Sequence, residues 1–249
     1  MIKANNIYKY YDNQPVLDDL SLTLEKGVCN VVIGESGSGK TVLMKSIVGL
    51  LEIDRGEIWY EERNFHPLDK KQKQIIRKET GMLFQGGALF DSLNIEENVM
   101  FPLNMFSGDP YQKKLHRVNF CLERVGLQKV NRMMPAELSG GMKKRAAIAR
   151  AIAMSPKFLF CDEPNSGLDP QTAIKIDNLI REITKEYNIT TLVNTHDMNS
   201  VMEIGDKVIY IHEGRKCWEG SKEEVLYTTN KELNTFVFAT RMAQQIKKA

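Results

Sequence analysis

The apolar positions change period twice along the chain. Ser21 to Leu24 alternates polar and apolar residues, and Val28 to Ile33 is a short β-branched run suited to a buried strand. A glycine-rich segment follows, and then VLMKSIVGLL repeats apolar residues at helical spacing. Gly56 to Tyr60 predicts an edge strand, Asp69 to Lys78 is a charged stretch, and Gly81 to Phe84 predicts another strand. From about residue 88 to 156 the pattern becomes helical. Glu96 to Phe106 is rich in Met, Phe and Leu, and Ser107 to Pro110 is a turn by composition. Tyr111 to Val125 carries a helical pattern that stops at Gly126, and Gly140 to Met154 carries one that stops before Pro156. Strand and helix then alternate through Phe158–Cys161, Gln171–Tyr187, Thr190–Asn194, Asn199–Ile204 and Lys207–Ile211, and Lys231 to Lys248 predicts a closing helix. The expected architecture is α/β: a single domain over 1–249, with 1–87 and 157–249 as core and 88–156 as an inserted helical subdomain.

Composition narrows the class. The 249 residues are 42 % hydrophobic and 27 % charged, as in a chain with a packed core. A net charge of +2 argues against nucleic acid as the main partner. No apolar run is long enough to cross a bilayer, and the opening MIKANNIYKYY lacks the apolar stretch of a signal peptide. Cys29, Cys121, Cys161 and Cys217 are scattered without CxxC spacing, which suits small hydrophobes in a cytosolic, reducing compartment.

Two motifs carry phosphate chemistry. Gly34-Glu35-Ser36-Gly37-Ser38-Gly39-Lys40-Thr41 fits GxxxxGK[ST] between a predicted strand and a predicted helix that opens with Val42. Its glycines let backbone N–H groups wrap an anion at a helix N-terminus. Lys40 is expected to reach the β- and γ-phosphates and Thr41 to offer a hydroxyl to Mg²⁺. Phe158 to Cys161 then ends in Asp162-Glu163, which puts two carboxylates at the C-terminal edge of the sheet. Asp162 is the expected Mg²⁺ partner, and Glu163 the group that orients or deprotonates the attacking water.

Leu138-Ser139-Gly140-Gly141-Met142, in this order with the other two motifs, resembles the ATP-binding-cassette (ABC) ATPases along essentially the whole chain. That resemblance implies a P-loop NTPase cassette with a RecA-like core, an antiparallel β subdomain and an inserted helical subdomain. It also implies ATP and Mg²⁺ as ligands. Tyr11 stands where the family puts an adenine-stacking aromatic, with Tyr10 as a rival. Gln85 matches the glutamine that senses Mg²⁺ and links core to lobe, Ser166-Gly167-Leu168-Asp169 matches the D-loop, and His196 matches the switch histidine at the γ-phosphate.

Ser139, Gly140 and Gly141 open a helix and so form a second anion site with free backbone donors. Because that site lies in the inserted lobe, one chain does not easily bring it onto its own phosphate loop. The family solution is a head-to-tail homodimer with ATP between one subunit's GESGSGKT and its partner's LSGGM. Met142 departs from the commonest family residue, Gln. The basic run Lys143-Lys144-Arg145 is expected to be a solvated helix face rather than a lipid-headgroup contact, and His66, His116 and His212 lie outside every motif.

The absence of a long coiled coil, a second cassette or a markedly basic surface favours a transporter engine over a soluble mechanoenzyme. Within the transporters, Phe84 to Leu93, Glu96 to Val99, Pro135-Ala136-Glu137 and Met142 resemble the Mla-type lipid-transport ATPases. This implies a membrane permease, a periplasmic MCE-domain protein, phospholipid cargo and a peripheral place on the cytoplasmic face of the inner membrane. Val99 to Phe106 is either a permease-docking groove or the small core of the lobe. The segment Leu233 to Phe238, with Met242 and Ile246, packs on its own subunit or on the other one.

Overall fold

A computed structural model describes residues 1–239. Two sheets form the core. The first is antiparallel, in the order β2–β1–β4–β5, from β1 (Ile2–Tyr11), β2 (Gln14–Leu24), β4 (Arg55–Tyr60) and β5 (Arg63–Asn64). The second has the order β10–β9–β3–β8–β7–β6, from β3 (Cys29–Ile33), β6 (Thr80–Leu83), β7 (Phe158–Asp162), β8 (Thr190–Asn194), β9 (Lys207–His212) and β10 (Arg215–Gly220). Its strands are parallel except for the edge strand β10.

Alternation along the central strands builds two apolar layers. Val31, Ile33, Leu159, Cys161 and Val193 face a layer that continues into the helical lobe. Val32, Phe158, Phe160, Leu192 and Ile209 face the antiparallel sheet across Leu43 and Ile47 of α1 (Lys40–Val48). Tyr60 meets Phe158 edge-on with ring centroids 4.9 Å apart, which locks the two sheets together. The helix α2 (Lys70–Lys78) begins with a capping box formed by Asp69 and Gln72.

The lobe is built from α3 (Ile95–Phe106), α4 (Tyr111–Arg124) and α5 (Gly140–Ile152). The helical period divides α3 between the two roles its sequence suggested. Ile95, Val99, Met100 and Leu103 are buried in the lobe, whereas Phe101 and Met105 are exposed on the opposite face. Buried Asn98 accepts from Phe90 N at 2.8 Å and donates to the carbonyls of Phe90, Leu93 and Asn94, which latches the segment leading into α3.

After β7 come α6 (Pro170–Glu186), α7 (Met198–Ile204), α8 (Lys222–Tyr227) and α9 (Lys231–Val237). Four elements depart from the expected pattern. The strands β1 and β2 run further than the alternation shows, because register shifts and positive φ at Asn6 and Asp19 break their period of two. The strand β10 (RKCWEG) is polar because it is an edge strand, and α8 is a short helix marked by the capping box of Ser221 and Glu224. The closing helix runs from Lys231 to Val237, and its expected continuation to Lys248, with Met242 and Ile246, lies outside the described residues.

Candidate active site

The C-terminal ends of β3, β6, β7 and β8 converge on one cleft of about 770 Å³, and the antiparallel sheet closes its side. Glu35, Ser36, Gly37, Gly39, Lys40, Thr41 and Val42 line it, together with Tyr11, Gln85, Glu163 and His196. Gly39 needs its lack of a side chain: at φ +102 a Cβ would stand 2.8 Å from the Val16 carbonyl oxygen. Gly34 and Ser38 lie beneath the loop, and Ser38 Oγ is buried without a partner.

Lys40 is buried, and its ammonium donates to the carbonyls of Gly34 and Glu35, each at 2.9 Å. Burial lowers its pKa, against the pull of Glu163 and Asp162. Thr41 Oγ1 lies 3.3 and 3.4 Å from the two Asp162 oxygens. Buried Asn194, at the end of β8, donates to Asp162 Oδ1 at 3.2 Å and to the Lys40 carbonyl at 3.0 Å. It ties the phosphate loop to the carboxylate strand, and its own Oδ1 has no partner.

Glu163 sits at φ 46, a conformation that costs a non-glycine residue about 1–3 kcal/mol. Its N–H donates to the Asn194 carbonyl at 2.9 Å, and this turn aims the carboxylate into the cleft. There Glu163 Oε1 meets His196 Nδ1 at 2.8 Å. Gln85 Nε2 donates to Ser166 Oγ at 3.4 Å, which joins the segment after β6 to the loop after β7. Tyr11 is half-exposed on the cleft wall under Lys9, whereas Tyr10 stacks on Tyr8 away from it.

The cleft's geometry has a counterpart in known proteins. A family model described as ABC transporter matches residues 17–166. The chain belongs to the ABC transporter ATP-binding family. It is 36 % identical to the methionine import ATP-binding protein MetN of Campylobacter jejuni, over 95 % of this chain and 75 % of that protein. It is 37 % identical to the intermembrane phospholipid transport system ATP-binding protein MlaF of Haemophilus influenzae, over 91 % of this chain and 86 % of that protein. Its fold matches the dimeric post-hydrolysis state of the ATP-binding cassette MJ0796 bound to ADP and Pi, with TM-score 0.82 and 30 % identity over 89 % of this chain and 99 % of that one. The protein is thus an ABC ATPase, the ATP-binding subunit of a transporter.

Within this cassette the LSGGM segment stands apart. Ser139 caps α5 by accepting from Met142 N at 3.3 Å. Ser139 and Gly140 are exposed on the lobe, and neither they nor Gly141 line the cleft that holds Lys40. Gly141 is needed for packing, since a Cβ there would stand 2.6 Å from Thr172 Cγ2 of α6.

One expectation is overturned. Lys143-Lys144-Arg145 is not a wholly solvated face, because α5 packs between α4 and the core and turns two of the three side chains, Lys144 and Arg145, inward. Lys144 is buried, and Arg145 donates to the carbonyls of Val125 and Gly126 at the end of α4. The cleft also has two wall residues outside every motif, Val16 and Phe236. Asn194 was legible only as a strand end, and a buried Asn closing a β-branched strand was its one signal.

Proposed function

We propose that this cassette binds Mg²⁺-ATP in the cleft, closes head to tail on a second copy of itself, and drives a phospholipid permease by hydrolysis. The observation that carries the dimer is the separation of two half-sites on one chain. Lys40 and Thr41 face the cleft, while the anion-binding turn at Ser139 to Gly141 faces outward from the lobe. A second copy supplies the missing half.

Lys40 has two of its three N–H donors on loop carbonyls, and the third can reach a phosphate oxygen. The glycine loop and the start of α1 add backbone N–H donors, and Tyr11 offers a ring face to adenine. The Thr41 hydroxyl and the Asp162 carboxylate are the hard oxygens Mg²⁺ requires, with Gln85 at the rim. With so few protein oxygens, phosphate and water would supply the rest of the shell, as is usual for Mg²⁺. When bound, the ion would supply charge neutralisation at the transferring phosphate. Glu163 takes the proton of the attacking water, and His196, hydrogen-bonded to it, orients that carboxylate and faces the γ-phosphate.

No helix among the described residues is long and apolar enough to cross a membrane, which accords with a peripheral place beneath a permease on the cytoplasmic face of the inner membrane. A groove of about 430 Å³ offers the docking surface, lined by Phe84, Phe90, Phe101, Pro102 and Phe106 with Arg77 and Arg150. Its aromatic face suits a short amphipathic helix of the permease.

The phospholipid cargo is supported by the Mla-like segments Phe84 to Leu93, Glu96 to Val99 and Pro135 to Glu137, by Met142, and by the MlaF relative, whereas the MCE-domain partner rests on the resemblance of those segments alone. Methionine import is the second reading, supported by the MetN relatives. Tagged Glu163→Gln chain, pulled from its own membranes in mild detergent, separates the two by mass spectrometry of protein and lipid. A permease with an MCE-domain protein and phospholipid is the expected eluate. A permease with neither MCE protein nor lipid overturns the cargo, and ribosomes or DNA in its place overturn the transporter coupling.

A further inference from the structure

Lys144 is a buried cation on α5 that belongs to none of the nucleotide-binding motifs. Its ammonium donates to the carbonyl of Gln85 and, at 3.4 Å, to the carbonyl of Glu163. These residues follow the neighbouring strands β6 and β7, whereas Lys144 belongs to the lobe. Among the described residues no carboxylate forms an ion pair with it. Burial lowers its pKa, opposed by the pull of Cys161 and Glu163. A buried ammonium held only by carbonyls is a costly way to fill space, since an apolar side chain of similar volume is often as stable or more so.

The neighbouring cation shows what is particular to Lys144. Arg150, two turns further along α5, donates to the carbonyls of Gly87 and Ala88, each at 2.7 Å. Arg150 fastens the segment after Gln85 to the lobe, but its bonds stop there. Lys144 also reaches across to the backbone of Glu163. One side chain of α5 therefore holds both the peptide that carries the water-activating carboxylate and the one that carries Gln85.

We propose that Lys144 is a positioning residue that sets the backbones of Gln85 and Glu163 relative to the helical lobe, so that its loss is felt in turnover rather than in ATP binding. This rests on the roles assigned to Gln85 and Glu163 above. Lys144→Met keeps the volume and removes the donors, while Lys144→Arg keeps the donors. In the full-length chain, Lys144→Met is expected to lower kcat about tenfold and to leave Mg²⁺-ATP affinity within about twofold. Its melting temperature should be unchanged or higher, and Lys144→Arg should recover most of the rate.

Turnover of Lys144→Met at the parent rate overturns the proposal. A rate loss accompanied by a lower melting temperature and not recovered by Arg makes Lys144 a folding residue and overturns it too, as does a Met variant that does not fold. Glu163→Gln measured alongside separates the two readings. If it hydrolyses at the parent rate, the role of Glu163 fails first. If it is inactive while Lys144→Met is normal, only the Lys144 inference fails.

Discussion

The core and the helical lobe treat their buried polar groups in opposite ways. Ser38, Ser46, Asn165, Asp177 and Asn194 have buried side-chain atoms without hydrogen-bond partners, and all five belong to the core. Three of them, Ser38, Asn165 and Asn194, lie in or against the loops that form the cleft. In the lobe, Asn98 makes four hydrogen bonds, and Glu96 accepts from Tyr111 and Asn131. Arg145 and Arg150 occupy carbonyls at the ends of neighbouring segments. A saturated network moves as one piece, whereas orphaned groups beside a reaction cleft are places where ligand contacts or rearrangement bring a gain. The lobe is built to transmit and the core to change.

The largest test of that contrast is Glu163→Gln in the core. Its turnover is expected to fall about 10²- to 10⁴-fold, the usual worth of a positioned base, with ATP binding retained. Phosphate release beside nucleotide binding measures both, and parent-rate turnover would take Glu163 out of the reaction. Lys40→Ala comes next. Loss of a charge-assisted hydrogen bond predicts about 10- to 100-fold weaker ATP binding by titration, and unchanged affinity would remove Lys40 from the phosphate site.

Ser139→Glu tests the lobe by placing a carboxylate where a phosphate should approach. ATP-driven dimerisation should be lost by light scattering, while the affinity of dilute monomer for ATP stays within about twofold. A fall in monomer affinity would mean that the lobe reaches its own cleft and would break the division between the two regions.

The smallest effect on turnover is expected at Asp177, a core carboxyl whose burial lifts its pKa to about 6. The unfolded chain ionises this group near pH 4 and the folded chain only near pH 6. Stability from the buried neutral acid is therefore complete below pH 4 and is lost as pH rises through 6, by about 3 kcal/mol. Asp177→Asn should flatten that slope in denaturant melts across this range. A slope identical to the parent's would place the titration elsewhere.

Sequence by itself determined the parts in which local chemistry and strand order suffice. GESGSGKT between a β-branched run and an apolar helix, Asp162-Glu163 closing another such run, and His196, which the ABC resemblance singled out, after a third all fall at parallel strand ends. A parallel sheet must bring such ends to one edge, so spacing alone placed them together. Only the tertiary structure decided which side chains meet across elements. It chose Tyr11 over Tyr10 for the cleft wall, divided α3 into a core face and an open face, and brought Val16 and Phe236 to the cleft. It also reversed the reading of Lys144 and Arg145. A cationic run on a helix looks the same in sequence whether the helix faces water or the seam between two lobes. What distinguishes the two is the set of backbone carbonyls that the opposite lobe presents, and those come from residues 59 and 19 positions away from Lys144.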